Sequence, residues 1–363
     1  MSLCARTLYE RGLILEFLSH YALFLAQAVT IVVAIVAVLI AIVALSSKQK
    51  SKKGELQVTD LSEQIKETKK SIEEQLLTAS QLKLKAKEDK KNLKEAQRKE
   101  KKSAKDKADL CLAPQMYVID FKGSIDAKEV ASLREEITAI LSVATPNDEV
   151  FVRLESGGGM VHGYGLAASQ LQRLKDKQIP LTISVDKVAA SGGYMMACVA
   201  NKIIAAPFSI IGSVGVIAQI PNFNKVLKKH DVEFEQLTAG QYKRTLTMFG
   251  ENDDLGREKF KQELEETHQL FKHFVSEHRP QLDIEKIATG EHWYGTQAFE
   301  LNLIDQIQTS DDYLLAQLED KHIVQVQYQK SKKLSEKLGK SVAHSVESSL
   351  LTLMYSNISR MFK

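Results

Sequence analysis

Ser191 lies in Ala190-Ser191-Gly192-Gly193-Tyr194, after the β-prone run Pro180 to Val185 and before small and apolar residues that suit a helix. A serine at a strand-to-helix turn can attack a carbonyl. Amide N–H groups of a first helical turn lack intrahelical partners and can hold the oxyanion that forms. Gly192 and Gly193 let a substrate backbone approach closely. The plainer reading is a small-residue helix start with Ser191 as its N-cap. A second turn, Ser156-Gly157-Gly158-Gly159, also follows an apolar strand. It lacks the G-x-x-x-x-G-K-[ST] and G-x-G-x-x-G spacings, which disfavours a nucleotide. One amide from each turn would give the two donors an oxyanion hole needs.

A serine hydroxyl needs an adjacent base at neutral pH. His162 lies just beyond the glycine turn, although nothing in the sequence marks an acidic group to orient it. Lys243, in Gly240-Gln241-Tyr242-Lys243, is the other candidate, and a lysine acts as a base only where desolvation favours its neutral form. The residues alone leave both open. His268, His273 and His278 recur at five-residue intervals, which do not align on one helical face, so no metal site is expected.

The elements that must position these groups follow a regular order. Strands are expected at 116–121, 149–154, 181–185 and 202–206, with helices at 127–143, 160–177 and after Ser191. This alternation indicates βαβ crossovers and an α/β fold with a mainly parallel sheet, whose sites lie at carboxyl ends of strands. A charged helix follows over 255–278.

The chain has 363 residues and a net charge of only +3, yet its charge is segregated. An N-terminal arm (1–20) precedes an uncharged, largely aliphatic stretch over 21–45, long enough to span a bilayer and read as a retained transmembrane anchor. Residues 46–112 are rich in lysine and glutamate and read as a charged helical stalk, suited to solvent or anionic lipid headgroups. No aromatic residues interleave its lysines, so nucleic acid is not an expected partner. The folded domain is expected over 113–328 and an amphipathic tail over 329–363. Cys4, Cys111 and Cys198 lie far apart and fit neither a disulfide framework nor a zinc site.

Taken together, Glu155 to Gly159, Ala190 to Tyr194, Ile211-Gly212-Ser213-Val214-Gly215-Val216 and Gly240 to Lys243 resemble the bacterial signal peptide peptidase A family of serine–lysine proteases. The anchor and lysine-rich segment fit its membrane-anchored branch. The resemblance implies a crotonase-like (Clp-type) α/β spiral, with Ser191 as nucleophile, Lys243 as general base and Ser213 hydrogen-bonded to the lysine amine. It implies an oxyanion hole from Gly192 and one of Gly158 and Gly159. It also implies peptide substrates, remnant signal peptides among them, no cofactor, ring-shaped homo-oligomers and a place in the bacterial inner membrane. Lysines after the anchor favour a cytoplasmic body, whereas the family precedent favours the far side, and the side stays open.

The chain departs from the family pattern in places. Gly157 replaces the proline common in the first turn, which should alter its rigidity more than its chemistry, and Arg244-Thr245 replace a small pair. Trp293 to Ala298 and Leu301 to Asp305 resemble the family's closing segment, with Asn302 where glycine is common. Related folds use other chemistry, but no histidine occurs between Ser191 and His230 to build a Clp-type triad, and no glutamate pair suggests a hydratase. A non-catalytic membrane scaffold is the reading from another class, and it has no need of the serine, the lysine and both turns together.

Overall fold

The computed structural model describes residues 20–36, 38, 54–78, 80–82, 84–85, 87, 91, 94 and 114–330. The chain divides into two units, 1–55 with 330–363, and 56–329. In the first, residues 20–36 and 38 form an exposed helix. Among the described residues no helix is long and apolar enough to cross a membrane. The rest of the expected anchor, at 37 and 39–45, and the expected tail from 331 lie outside the described residues.

The second unit is built on a seven-stranded sheet in the order β1-β10-β2-β3-β4-β6-β9. Its strands are β1 (Glu55–Asp60), β2 (Gln115–Lys122), β3 (Glu149–Glu155), β4 (Leu181–Val185), β6 (Lys202–Ala205), β9 (Gln306–Ile307) and β10 (His322–Gln329). From β10 across to β9 every pairing is parallel. β4 is buried at all five positions and β3 at all but Arg153 and Glu155, the signature of parallel strands covered on both faces.

Alternate residues feed two cores. Val150, Val152 and Leu154 of β3 face a large cluster with Leu133, Ile137 and Ile140 of helix Val130–Leu141. Tyr164, Ala167, Ala168, Leu171 and Leu174 of helix Val161–Asp176 join it, spaced three and four residues apart on one face. Phe151 faces the other way, into Met116, Val118, Ile204, Tyr313, Leu314 and Ile323.

Two findings revise the sequence expectations. The helical stalk reading over 46–112 fails at 55–60, which is a strand, while over 61–76 the expected helix forms but not as a free stalk. Glu55–Asp60 is an edge strand beside β10, and helix Leu61–Leu76 is tied to the sheet. Leu61 packs on the second core, Asp60 caps the helix by accepting from the Glu63 N–H, and the buried Ser62 hydroxyl accepts from the Ile323 N–H. The surrounding lysines hide this short alternating strand, so the domain begins well before residue 113.

The chain also leaves the main sheet after β4. Val188–Ala190 (β5) pairs in parallel with Ile210–Gly212 (β7), which pairs antiparallel with His292–Tyr294 (β8), forming a small second sheet. Ser191 therefore ends a strand of this small sheet, not the central strand 181–185.

Candidate active site

Ser191 joins β5 to the buried helix Gly192–Ala197 with φ 53° and ψ −120°. A residue with a Cβ in such a conformation stores about 1–3 kcal/mol of strain. The turn is held by its backbone, because the Ser191 N–H donates to the Gly212 carbonyl at 2.8 Å and the Met195 N–H donates to the Ser191 carbonyl at 3.0 Å. The Ser191 side chain makes no capping hydrogen bond. Ser191 thus holds the N-cap position of the helix, as the plainer reading has it, but not by its side chain, and its hydroxyl has no hydrogen-bonded partner among the described residues.

Register brings Ser213 alongside. Ala190 stands opposite Gly212 in the parallel β5–β7 pair, so Ser191 and Ser213 are the next residues out of two adjacent strands. Ser213 also has a positive φ, 54°, and its N–H donates to the Glu291 carbonyl at 2.7 Å.

The first glycine turn closes the other side. Ser156 and Ala189 form a parallel bridge that carries the turn to the end of β5. Gly158 has φ 86°, and a Cβ on it would stand 2.7 Å from the Gly192 nitrogen and 2.8 Å from Ser191 Cβ. Only glycine satisfies both conditions at this contact. The Gly158 N–H is already committed to Ser156 Oγ, at 3.1 Å. The Gly159 and Gly192 amides have no such partner among the described residues, so they are the open donors of the two turns.

Gly123, Ser124, Ile125, Asp126, Gly157 and Gly158 line an open groove of about 750 Å³ along this turn. Its wall is fixed by carboxylates. Glu129 Oε2 accepts from the Ser124 N–H at 3.0 Å, and the Ser124 hydroxyl lies within reach of both Glu129, at 2.8 Å, and Asp126, at 2.7 Å. Burial would raise the Glu129 carboxyl, but hydrogen bonds from Ser124 outweigh it and hold Glu129 below its ordinary value. Asp126 is lowered by the neighbouring Lys128 ammonium and by Ser124.

Ser191, Ser213, Gly158, Gly159 and Gly192 thus share neighbouring strand ends and turns, and among the described residues no hydrogen bond joins them to Lys243. It is exposed, in an irregular stretch before helix Asp254–His278, with no hydrogen bond or ion pair from its amine among the described residues. His162 is exposed on helix Val161–Asp176. His268 and His278 face backbone carbonyls of Val214 and Phe274. Among the described residues no cluster of His, Cys, Asp or Glu could hold a metal ion. Reading the sequence missed Tyr164, which supports both glycine turns. A buried tyrosine on the apolar face of a helix carries no local signal of that role.

A parallel α/β sheet presenting a strained serine turn beside open glycine amides has the form of a hydrolytic enzyme. The chain matches "Peptidase family S49 N-terminal" over residues 16–171 and "Peptidase family S49" over residues 173–324. It is 50% identical over 336 residues to "Probable protease SohB" of Haemophilus influenzae, covering 91% of this chain and 94% of that one. It is 45% identical over 345 residues to "Putative protease SohB" of Buchnera aphidicola, covering 94% and 98%. A more distant likeness, 27% over 201 residues, is to "Protease 4" of Haemophilus influenzae, covering 53% of this chain and 32% of that one. The chain belongs to peptidase family S49, as a SohB-type member.

Proposed function

We propose that this peptidase is a membrane-anchored serine endopeptidase using a Ser191–Lys243 dyad, in which Lys243 reaches Ser191 from a neighbouring copy of the chain. The observation that carries the reading is the convergence of Ser191, Ser213 and the Gly158–Gly192 contact at one strand end, with the Ser191 hydroxyl uncommitted. Lys243 is exposed, on a stretch that also exposes Ile217, Val226 and Leu237. Exposed apolar groups in such number suit an interface. Covering that stretch by a second copy would also supply the desolvation a lysine base requires.

In the proposed reaction the Lys243 amine takes the Ser191 proton as Oγ bonds to the substrate carbonyl carbon. The oxyanion is held by the Gly192 and Gly159 N–H groups, and Ser213 holds the lysine amine. Collapse breaks the peptide C–N bond, and the departing amine takes the proton from the Lys243 ammonium. Water, deprotonated by the same lysine, then attacks the acyl-enzyme and releases Ser191. The proposed anchor over 21–45 places this chemistry at a bacterial inner membrane, where signal-peptide remnants and other membrane-associated peptides are the substrates.

Labelling of the full-length protein with a fluorophosphonate tests the dyad. Wild type should label at Ser191, while folded Ser191→Ala and Lys243→Ala should not. Undiminished labelling of Lys243→Ala would remove the lysine from the mechanism.

A further inference from the structure

Beneath the two glycine turns runs a buried chain of hydroxyls that the reaction above does not use. The Gly158 N–H donates to Ser156 Oγ at 3.1 Å, Ser156 Oγ lies 2.5 Å from the Tyr164 hydroxyl, and Tyr164 donates to the Ser124 carbonyl at 2.8 Å. The directions follow from counting protons. Tyr164 has one, and it is committed to Ser124, so the Ser156 proton must point to the Tyr164 oxygen. That leaves the Ser156 lone pairs to receive Gly158. Ser156 is 2% exposed and Tyr164 fully buried, which strengthens each link and makes a broken one expensive. Burial raises the Tyr164 hydroxyl, against the pull of the Ser156 hydrogen bond, so it stays a neutral donor.

The same tyrosine supports the second turn with its ring. A Cβ on Gly192 would stand 2.4 Å from Tyr164 Cγ, so the helix start lies directly on the aromatic face. One side chain therefore touches both turns, its hydroxyl holding the first through Ser156 and its ring bearing the second. The first turn has Gly157 where a proline would stiffen it, and its described tie to Tyr164 is the hydrogen bond from Gly158 through Ser156.

We infer that Ser156 and Tyr164 are positioning residues that fix the spacing between the Gly159 and Gly192 amides, and so set how well the oxyanion is held. The inference rests on the reading of Ser191 as nucleophile. It is tested on the full-length protein with Tyr164→Phe, which keeps the ring under Gly192, and with Ser156→Ala, which removes the first link. Both variants should remain folded, melting below wild type by about 2–12 degrees, the cost of one buried hydrogen bond lost. For each, kcat on a peptide substrate should fall by about tenfold or more with KM within about twofold, because the lost alignment matters chiefly in the transition state. Amide hydrogen exchange over residues 156–160 should accelerate in both. Unchanged kcat in the folded variants, or unchanged exchange over 156–160, would overturn the inference. If wild type cleaves no peptide the nucleophile reading fails by itself, and the exchange comparison still decides whether the hydroxyl chain holds the turn.

Discussion

Residues 188–213 and residues 214–253 carry the two halves of the proposed dyad, and they are built in opposite ways. The serine half has three strands, two of them paired with each other and the third in the main sheet, with a fully buried helix and backbone hydrogen bonds at its turns. The lysine half has one helix of six residues and a small aromatic cluster of Phe223, Phe234 and Phe249, and it leaves Ile217 79% and Leu237 94% exposed. A nucleophile and its oxyanion donors need alignment to a fraction of an ångström, which a packed sheet end provides. A base carried on an open arm suits delivery from outside, because its surroundings are completed only when a second surface covers it.

The sharpest way to break this comparison is to separate the halves genetically. Ser191→Ala and Lys243→Ala should each lower kcat by about 10⁴-fold or more. Co-assembled in equal amounts, they should recover about a quarter of wild-type activity, the fraction of junctions pairing an intact serine with an intact lysine under random mixing. Recovery of nothing would place serine and lysine in one chain.

A second contrast is in stability. Gly192→Ala drives a methyl into the Tyr164 ring and should destabilise the fold by about 2–3 kcal/mol, read as a lower melting temperature. Leu237→Ser, on the open arm, should leave melting within about 0.5 kcal/mol while shifting the chain toward smaller species in sedimentation.

The packed core beside the main sheet should also report pH. Burial, aided by the charge of Asp120 and opposed by the Tyr328 N–H, raises Glu136 from 4.5 to about 7. The folded chain then holds a proton that the unfolded chain has released, so stability falls as pH rises through that window. Glu136→Gln should melt higher than wild type at pH 8, by on the order of 2 kcal/mol, with the gap closing toward pH 5. The smallest effect is expected at Cys198, whose thiol burial pushes up to about 12. It should resist alkylation, mapped by mass spectrometry at that residue, until the protein unfolds.

The sequence made the repetitive parts of the fold readable. The strands at 115–122, 149–155 and 181–185 and the helix over 161–176 announce themselves through apolar runs and periodicity, because both faces of that sheet are covered. The small sheet stayed hidden, since strands of three residues at 188–190, 210–212 and 292–294 have no period to read. Its register is what sets Ser213 beside Ser191, whereas the resemblance assigns Ser213 to the Lys243 amine. The strand at 55–60 was concealed by its charged neighbours. Lys243 was legible as a motif, but its exposure is a property of tertiary structure alone.

The place of β10 between β1 and β2 has a consequence for synthesis. Among the described residues β1 pairs only with β10, and the Asp60 carboxylate meets the ring of His322, 262 positions later, in a 2.8 Å hydrogen bond. At roughly 5–20 residues per second, the first strand of the domain waits on the order of tens of seconds for the last to leave the ribosome. Until then the early segment has no place in the sheet, and any membrane insertion by the residues before it precedes closure of the domain. A chain cut short before residue 322 loses the strand it lacks and the one it already has.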